Sequence, residues 1–124
     1  MIKKTILIIE DNEVNMMLLR AVFLDNGYNV LESVDGMDIK SLMSEQLPDL
    51  IVMDYSLPVL SGAELTKKLK ANEALKHIPV IACTAHATNN NISKNMLDAG
   101  CLDIIFKPYD IPMFLETVAN HING

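Results

Sequence analysis

Leu50-Ile51-Val52-Met53-Asp54 is a run of apolar residues closed by a carboxylate. So short and so apolar a run reads as a strand covered on both faces, and the acid marks the point where the chain leaves the core. The pattern recurs on either side of it. Ile6-Leu7-Ile8-Ile9 ends in Glu10-Asp11, Val80-Ile81-Ala82-Cys83 ends in Thr84, and Ile104-Ile105-Phe106 ends in Lys107-Pro108. Every one of these runs closes on a residue that can handle phosphate or a hard cation.

Strands are therefore predicted at 5–9, 29–33, 50–54, 80–83 and 103–106. The second, containing Asn29-Val30-Leu31-Glu32, alternates polar and apolar residues and belongs at a sheet edge; the other four are apolar enough for interior positions. Longer amphipathic stretches separate the runs from end to end. That alternation is the signature of an α/β fold, a parallel sheet with helices on both faces.

Helix ends are readable too. Ser61 and Glu64 have capping-box spacing before the third helix, and Asp110 precedes Ile111-Pro112 at the start of the fifth. The stripe Ile111, Phe114, Leu115, Val118, Ala119 and Ile122 packs one face of that helix on the sheet. The first helix carries two apolar faces: Leu18, Leu19, Val22 and Phe23 on one, Val14, Met17, Ala21 and Leu24 on the other. A wide core stripe and a docking surface are equally good readings of the second face. The fourth helix begins in Thr88-Asn89-Asn90-Asn91, which offers caps but weak helix propensity.

At 124 residues the chain fits one domain, large enough to bury roughly two-thirds of its unfolded surface. No apolar run approaches the roughly 18 residues of a membrane span, and the N-terminus lacks a signal peptide's order of regions, so a cytoplasmic location is expected. Cys83 and Cys101 have no metal-ligand spacing and are expected to be reduced thiols. A net charge of −6 argues against direct binding to DNA or acidic membranes.

In an open parallel sheet, residues that end several strands converge at its carboxyl edge, which would bring Glu10, Asp11 and Asp54 into one cleft. An all-oxygen site of this kind suits Mg²⁺. Asp54 could then act as a nucleophile toward phosphorus, with Lys107 paired to a phosphoryl oxygen and the Thr84 hydroxyl donating to another. Taken singly, each residue has a plain structural role: acids cap helices, threonine is a common strand residue, Lys-Pro makes turns. Only the ordered set is specific.

That set resembles the response-regulator receiver domains, from about Lys3 to Ile122. The resemblance is carried by Ile8-Ile9-Glu10-Asp11-Asn12, by Pro48-Asp49-Leu50-Ile51-Val52-Met53-Asp54, by Leu57-Pro58 with Gly62, by Thr84-Ala85 and by Lys107-Pro108. Among receivers the chain is similar to the stand-alone DivK type, in which Glu-Asp-Asn likewise follows the first strand. The resemblance implies a flavodoxin-like (βα)5 doubly wound sandwich with strand order 2-1-3-4-5, filling residues 1–124 as a single receiver domain with no output domain. It implies phosphorylation of Asp54 by a phosphohistidine, in a domain that catalyses only its own phosphorylation and dephosphorylation.

It also implies a site. Mg²⁺ would be bound by the side chains of Asp11 and Asp54 and the backbone carbonyl of Ser56, with Glu10 acting through water, and Lys107-Pro108 would be cis. Ser56 and His86 would flank the phosphoryl group and tune its hydrolysis. Thr84 would move toward the phosphate. Ile104 stands where the family has an aromatic side chain, so switching is expected to run through Thr84 and the Asn-rich start of the fourth helix. The implied partners are a histidine kinase or histidine phosphotransfer domain at the cleft and first helix, and a downstream effector protein on the face from the fourth helix to the fifth.

The main rival is a phosphorylation-independent interaction module that keeps the receiver fold; the intact Glu10, Asp11, Asp54, Thr84 and Lys107 argue against it. An aspartyl phosphatase would want a second acid where Ser56 stands. Neither nucleotide-binding glycine motif follows the first strand, and Glu10-Asp11-Asn12-Glu13 has the wrong charge for a flavin phosphate.

Overall fold

The computed structural model describes residues 3–85 and 90–123. Five strands alternate with five helices: β1 (Thr5–Ile9), α1 (Glu13–Asp25), β2 (Asn29–Ser33), α2 (Ile39–Glu45), β3 (Leu50–Asp54), α3 (Gly62–Ala71), β4 (Val80–Thr84), α4 (Asn90–Ala99), β5 (Asp103–Phe106) and α5 (Ile111–Ile122). The strands form one sheet in the order β2-β1-β3-β4-β5, and every pairing is parallel. This is the architecture expected from the apolar runs and the topology implied by the resemblance.

Alternation along the strands divides the core in two. Leu7, Ile9, Ile51, Met53, Val80 and Ala82 meet α2, α3 and α4 on one face. Ile6, Ile8, Leu50, Val52, Ile81 and Cys83 meet α1 and α5 on the other, through Met16, Leu19, Phe23, Phe114, Val118 and Ile122. The central strands β1, β3 and β4 are buried along their whole length. Glu10 and Asp54 continue the even-numbered alternation of β1 and β3, so the backbone delivers both above the α1/α5 face.

The predicted caps are present. The Ser61 hydroxyl accepts from Glu64 N at 3.1 Å while Ser61 N donates to the Glu64 carboxylate at 3.3 Å, and Asp110 accepts from Met113 N at 3.1 Å. Both caps, the first a full capping box, sit directly after loops that carry site residues, and so fix where those loops end.

Two readings need correction. β5 lies at the far edge of the sheet and is only half-buried, with Phe106 40% exposed, although its composition suited an interior strand. It pairs only with β4, so composition alone overstated its cover. In α1 the buried line is Met16, Leu19 and Phe23, while Leu18 is exposed. Spacings of three and four residues put Met16 under the helix and turn Leu18 out. Val14, Met17 and Leu24 are exposed as well, so the second apolar face of α1 is a surface. The Thr88-Asn89 part of the α4 start lies outside the described residues.

Both cysteines are buried and free. Burial pushes the Cys83 thiol up to about 12 despite neighbouring Tyr109 and Lys107, so it remains a protonated packing group at neutral pH. No helix among the described residues is long and apolar enough to cross a membrane.

Candidate functional site: an acidic cleft at the carboxyl edge of the sheet

Glu10, Asp11 and Asp54 converge at the ends of β1 and β3, each offering an oxygen within 4.8 Å of the others. Glu10 and Asp54 are buried and Asp11 is exposed, so the cluster opens to solvent at Asp11. Between the two buried acids stands Lys107, whose Nζ lies 3.2 Å from Glu10 Oε1 and 3.3 Å from Asp54 Oδ1. One ammonium therefore bridges two carboxylates drawn from different strands.

Local backbone bonds hold each member. Glu10 N donates to Ser33 O at 3.0 Å, tying the end of β1 to β2. Asn12 N donates to Glu10 Oε2 at 3.1 Å, and the Asn12 side chain accepts from Asn15 N at 3.0 Å as the cap of α1. One asparagine thus starts the helix and aims the acid. The role of its N–H is invisible in the sequence, since it depends on the turn that Asp11 makes. Ser56 N approaches Asp54 Oδ1 at 3.4 Å, and Lys107 N donates to Thr84 O at 2.9 Å, fastening the lysine's loop to β4.

The electrostatics follow from that geometry. Burial raises the Glu10 pKa; the Asn12 N–H lowers it, the Asp54 charge raises it and the Lys107 charge lowers it, with a net rise. For Lys107 burial pulls downward, but the charges of Asp54 and Glu10 outweigh it and the pKa is raised. In metal-free protein, native Glu10 therefore keeps its proton to higher pH than the unfolded chain, whose glutamate titrates near 4.5. Its contribution to stability is full below that value and is lost as pH rises through the raised native pKa. The expected result is a fall in Tm across that window that Glu10→Gln flattens; a slope identical in both proteins, measured with chelator present, would refute it.

Other predicted residues take their places around the cleft. Thr84 is buried at the end of β4, opposite Phe106 in the β4–β5 register. Ser56 is exposed in the loop after β3. The Lys107-Pro108 peptide is cis. Ile104 is half-buried and packed against the α2/α3/α4 side of the core, and Phe106 stays outside both clusters. His86 lies outside the described residues. Sequence reasoning gave no structural reason for Gly62: a Cβ there would stand 2.5 Å from Asp54 O, so only glycine lets α3 begin against the backbone that carries the acid.

The donor set suits a hard cation. Three carboxylates within one ion's reach, two of them buried, with neither histidine nor thiol in the cluster, match the oxygen preference of Mg²⁺ rather than zinc.

Comparison with known proteins gives a consistent result. The family model described as response regulator receiver domain matches residues 6–119. The polar-differentiation response regulator DivK of Brucella ovis is 42% identical over 119 residues, 96% of each chain, and that of Brucella anthropi is 41% identical over the same share. Among solved structures, the receiver domain of a sensor histidine kinase from Pseudomonas aeruginosa superposes with a TM-score of 0.89 at 32% identity, covering 99% of this chain and all of the other. That structure has a magnesium ion coordinated in its active-site cleft. A signal receiver domain of a histidine kinase from Syntrophus aciditrophicus gives a TM-score of 0.89 at 28% identity, over 98% of this chain and 91% of its own.

Proposed function

Since this chain belongs to the response-regulator receiver family, we propose that it takes a phosphoryl group from a phosphohistidine onto Asp54 and signals by changing its protein contacts. The observation that carries this reading is the Lys107 ammonium set between the buried carboxylates of Glu10 and Asp54, with Asp11 beside them. A lone buried acid would be protonated or capped. Here Asp54 stands 3.3 Å from a cation that can follow it onto a phosphoryl oxygen.

In the transfer, an Asp54 carboxylate oxygen attacks phosphorus as the bond to the donor imidazole nitrogen breaks, and the imidazole leaves to take up a proton. In the reverse sense, water attacks the acyl phosphate, the Asp54 carboxylate leaves, and inorganic phosphate is released. The domain acts on itself alone. Asp11, Asp54 and the Ser56 carbonyl would hold Mg²⁺, with Glu10 reaching it through water, and the cation would offset charge on the phosphoryl oxygens. Lys107 pairs with one of those oxygens and the Thr84 hydroxyl donates to another, which stabilises the modified state over the free one. Ser56 and His86 would tune how readily water hydrolyses the group.

The switch follows the same residues. The Lys107 N–H bond to the Thr84 carbonyl links the β4 and β5 ends, so movement of Thr84 toward a phosphoryl group is passed to Lys107 and its loop. Ile104 is already packed into the core side of β5, and its branched side chain leaves the motion to Thr84.

The donor, a histidine kinase or histidine phosphotransfer domain of the cytoplasm, meets the cleft mouth and the exposed α1 face of Val14, Met17 and Leu18. The effector meets the face from α4 to α5, where Leu97, Leu102 and Met113 are exposed.

The decisive test is incubation with a small acyl-phosphate donor, following the gain of one phosphoryl group by mass. Uptake that requires Mg²⁺ is the expected result; absence of uptake from both the small donor and a phosphorylated histidine domain would leave the phosphate-independent module standing. Met17→Asp is expected to slow transfer from the histidine domain about tenfold while leaving uptake from the small donor unchanged, because only the protein donor needs the α1 surface. Equal slowing of both would remove α1 from the docking site.

A further inference from the structure

A groove of about 320 Å³ runs between α2 and α3, on the opposite face of the sheet from α1 and α5. It falls in the size range of small binding sites, roughly 300–1,000 Å³. Ile39, Leu65 and Leu69 make its buried floor, and half-buried Leu60 lines it from the loop that connects Asp54 to α3. Met37, 56% exposed, stands in its wall as an unbranched side chain able to repack against a visitor.

Its charge is of one sign. Among the described residues, Lys40 and Lys68 are the only charged side chains lining the groove, and no carboxylate lines it. On a chain of net charge −6 that is a local inversion. Both lysines are exposed, and among the described residues neither makes an ion pair.

We propose that this groove docks an acidic amphipathic helix of a partner protein, its apolar side chains entering over Ile39 and Leu69 and its flanking carboxylates meeting Lys40 and Lys68. The walls decide the form of the occupant. Both are helices whose backbone groups are bonded within themselves, so an extended segment would find no sheet edge to join and would bury its own polar backbone unpaired. A helix brings its backbone already satisfied and offers apolar side chains one turn apart. The rim charge decides the sign of the partner, while the net charge of −6 makes an anionic membrane a poor occupant.

The position also gives the contact a route to the cleft. Leu60 belongs to the loop from Tyr55 to Ser61, which ends at Gly62 directly against the Asp54 carbonyl. An occupant touching Leu60 bears on that loop. Docking itself stands whether or not Asp54 is the phosphoacceptor.

The test is methyl NMR of the intact chain, titrated with a short helical peptide bearing leucines along one face and glutamates beside them. A matched peptide with lysines for glutamates, and the Lys40→Glu/Lys68→Glu protein, complete the set. Methyl signals of Ile39, Leu60 and Leu69 are expected to shift saturably with the acidic peptide; the double reversal should weaken that binding about tenfold and transfer preference to the lysine peptide. Both lysines are exposed, so the variant should keep its fold, which far-UV circular dichroism checks. The proposal is overturned by shifts confined to α1 or by no shift at all. It is equally overturned by equal affinity for both peptides in both proteins, by octanoate filling the groove as tightly as the peptide, or by the same methyls shifting with protein concentration alone, which would make a second copy the occupant.

Discussion

In Asp54→Asn, uptake of a phosphoryl group from a small acyl-phosphate donor with Mg²⁺ falls below detection, a loss of at least about 10⁴-fold of the kind seen when a nucleophile is removed. The substitution is nearly isosteric, so the shape of the site survives. The side-chain oxygen can still accept from Ser56 N, and Lys107 retains its partner Glu10 at 3.2 Å. No buried charge is left without a counterion, and stability should stay within about 1 kcal/mol of the parent. What disappears is the carboxylate oxygen proposed to attack phosphorus, together with one of the three carboxylates available to the cation. A useful secondary sign is that Glu10, relieved of the Asp54 charge, titrates lower than in the parent. Retained Mg²⁺-dependent uptake in the variant would place the acceptor at Asp11 or Glu10 and sink the assignment.

The strands were legible because a sheet covered on both faces leaves unbroken apolar runs, and such runs end where the cover ends. Four of the five have the predicted bounds; β4 extends one residue further, through Thr84, whose backbone still pairs with β5. Their last residues then named the cleft, since parallel strands bring their carboxyl ends to one edge. Less of the packing could be read. β5 shares the composition of interior strands but owes its exposure to its place in the strand order, which no local run encodes. In α1 nine apolar residues surround the helix, and the buried subset of Met16, Leu19 and Phe23 is chosen by how the helix rolls onto Phe114 and the sheet. Within the site, residue types were readable but bonds were not. Lys107 reaching Glu10 as well as Asp54, and the Asn12 N–H fixing Glu10, depend on loop paths closed by distant parts of the chain.

Gly62→Ala should be the most damaging single methyl group near the site. Its Cβ would lie 2.5 Å from Asp54 O and 3.0 Å from Tyr55 Cα, and both obstacles are backbone with no flexible tip to yield. The residue is held from both sides as well: Gly62 N donates to Tyr55 O at 2.8 Å, and the Thr66 hydroxyl donates to Gly62 O at 2.7 Å. Relief must come from moving the start of α3 or the end of β3. The expected cost is about 2–3 kcal/mol, as for other overpacked sites, which lowers Tm by roughly 10 °C. Function should suffer separately. Displacing Asp54 by about 1 Å from Lys107 and the other acids is enough for a drop of about 100-fold in phosphoryl uptake, measured at a temperature where the variant remains folded. Gly27→Ala supplies the control, because Gly27 has φ +87 but a Cβ there meets nothing within 4 Å. Left-handed strain alone costs about 1–2 kcal/mol, and it lies after α1, away from the cleft. Stability should fall in both variants and uptake only in Gly62→Ala; uptake lost in proportion to stability in both would mean that the close approach of α3 to Asp54 does not position the acid.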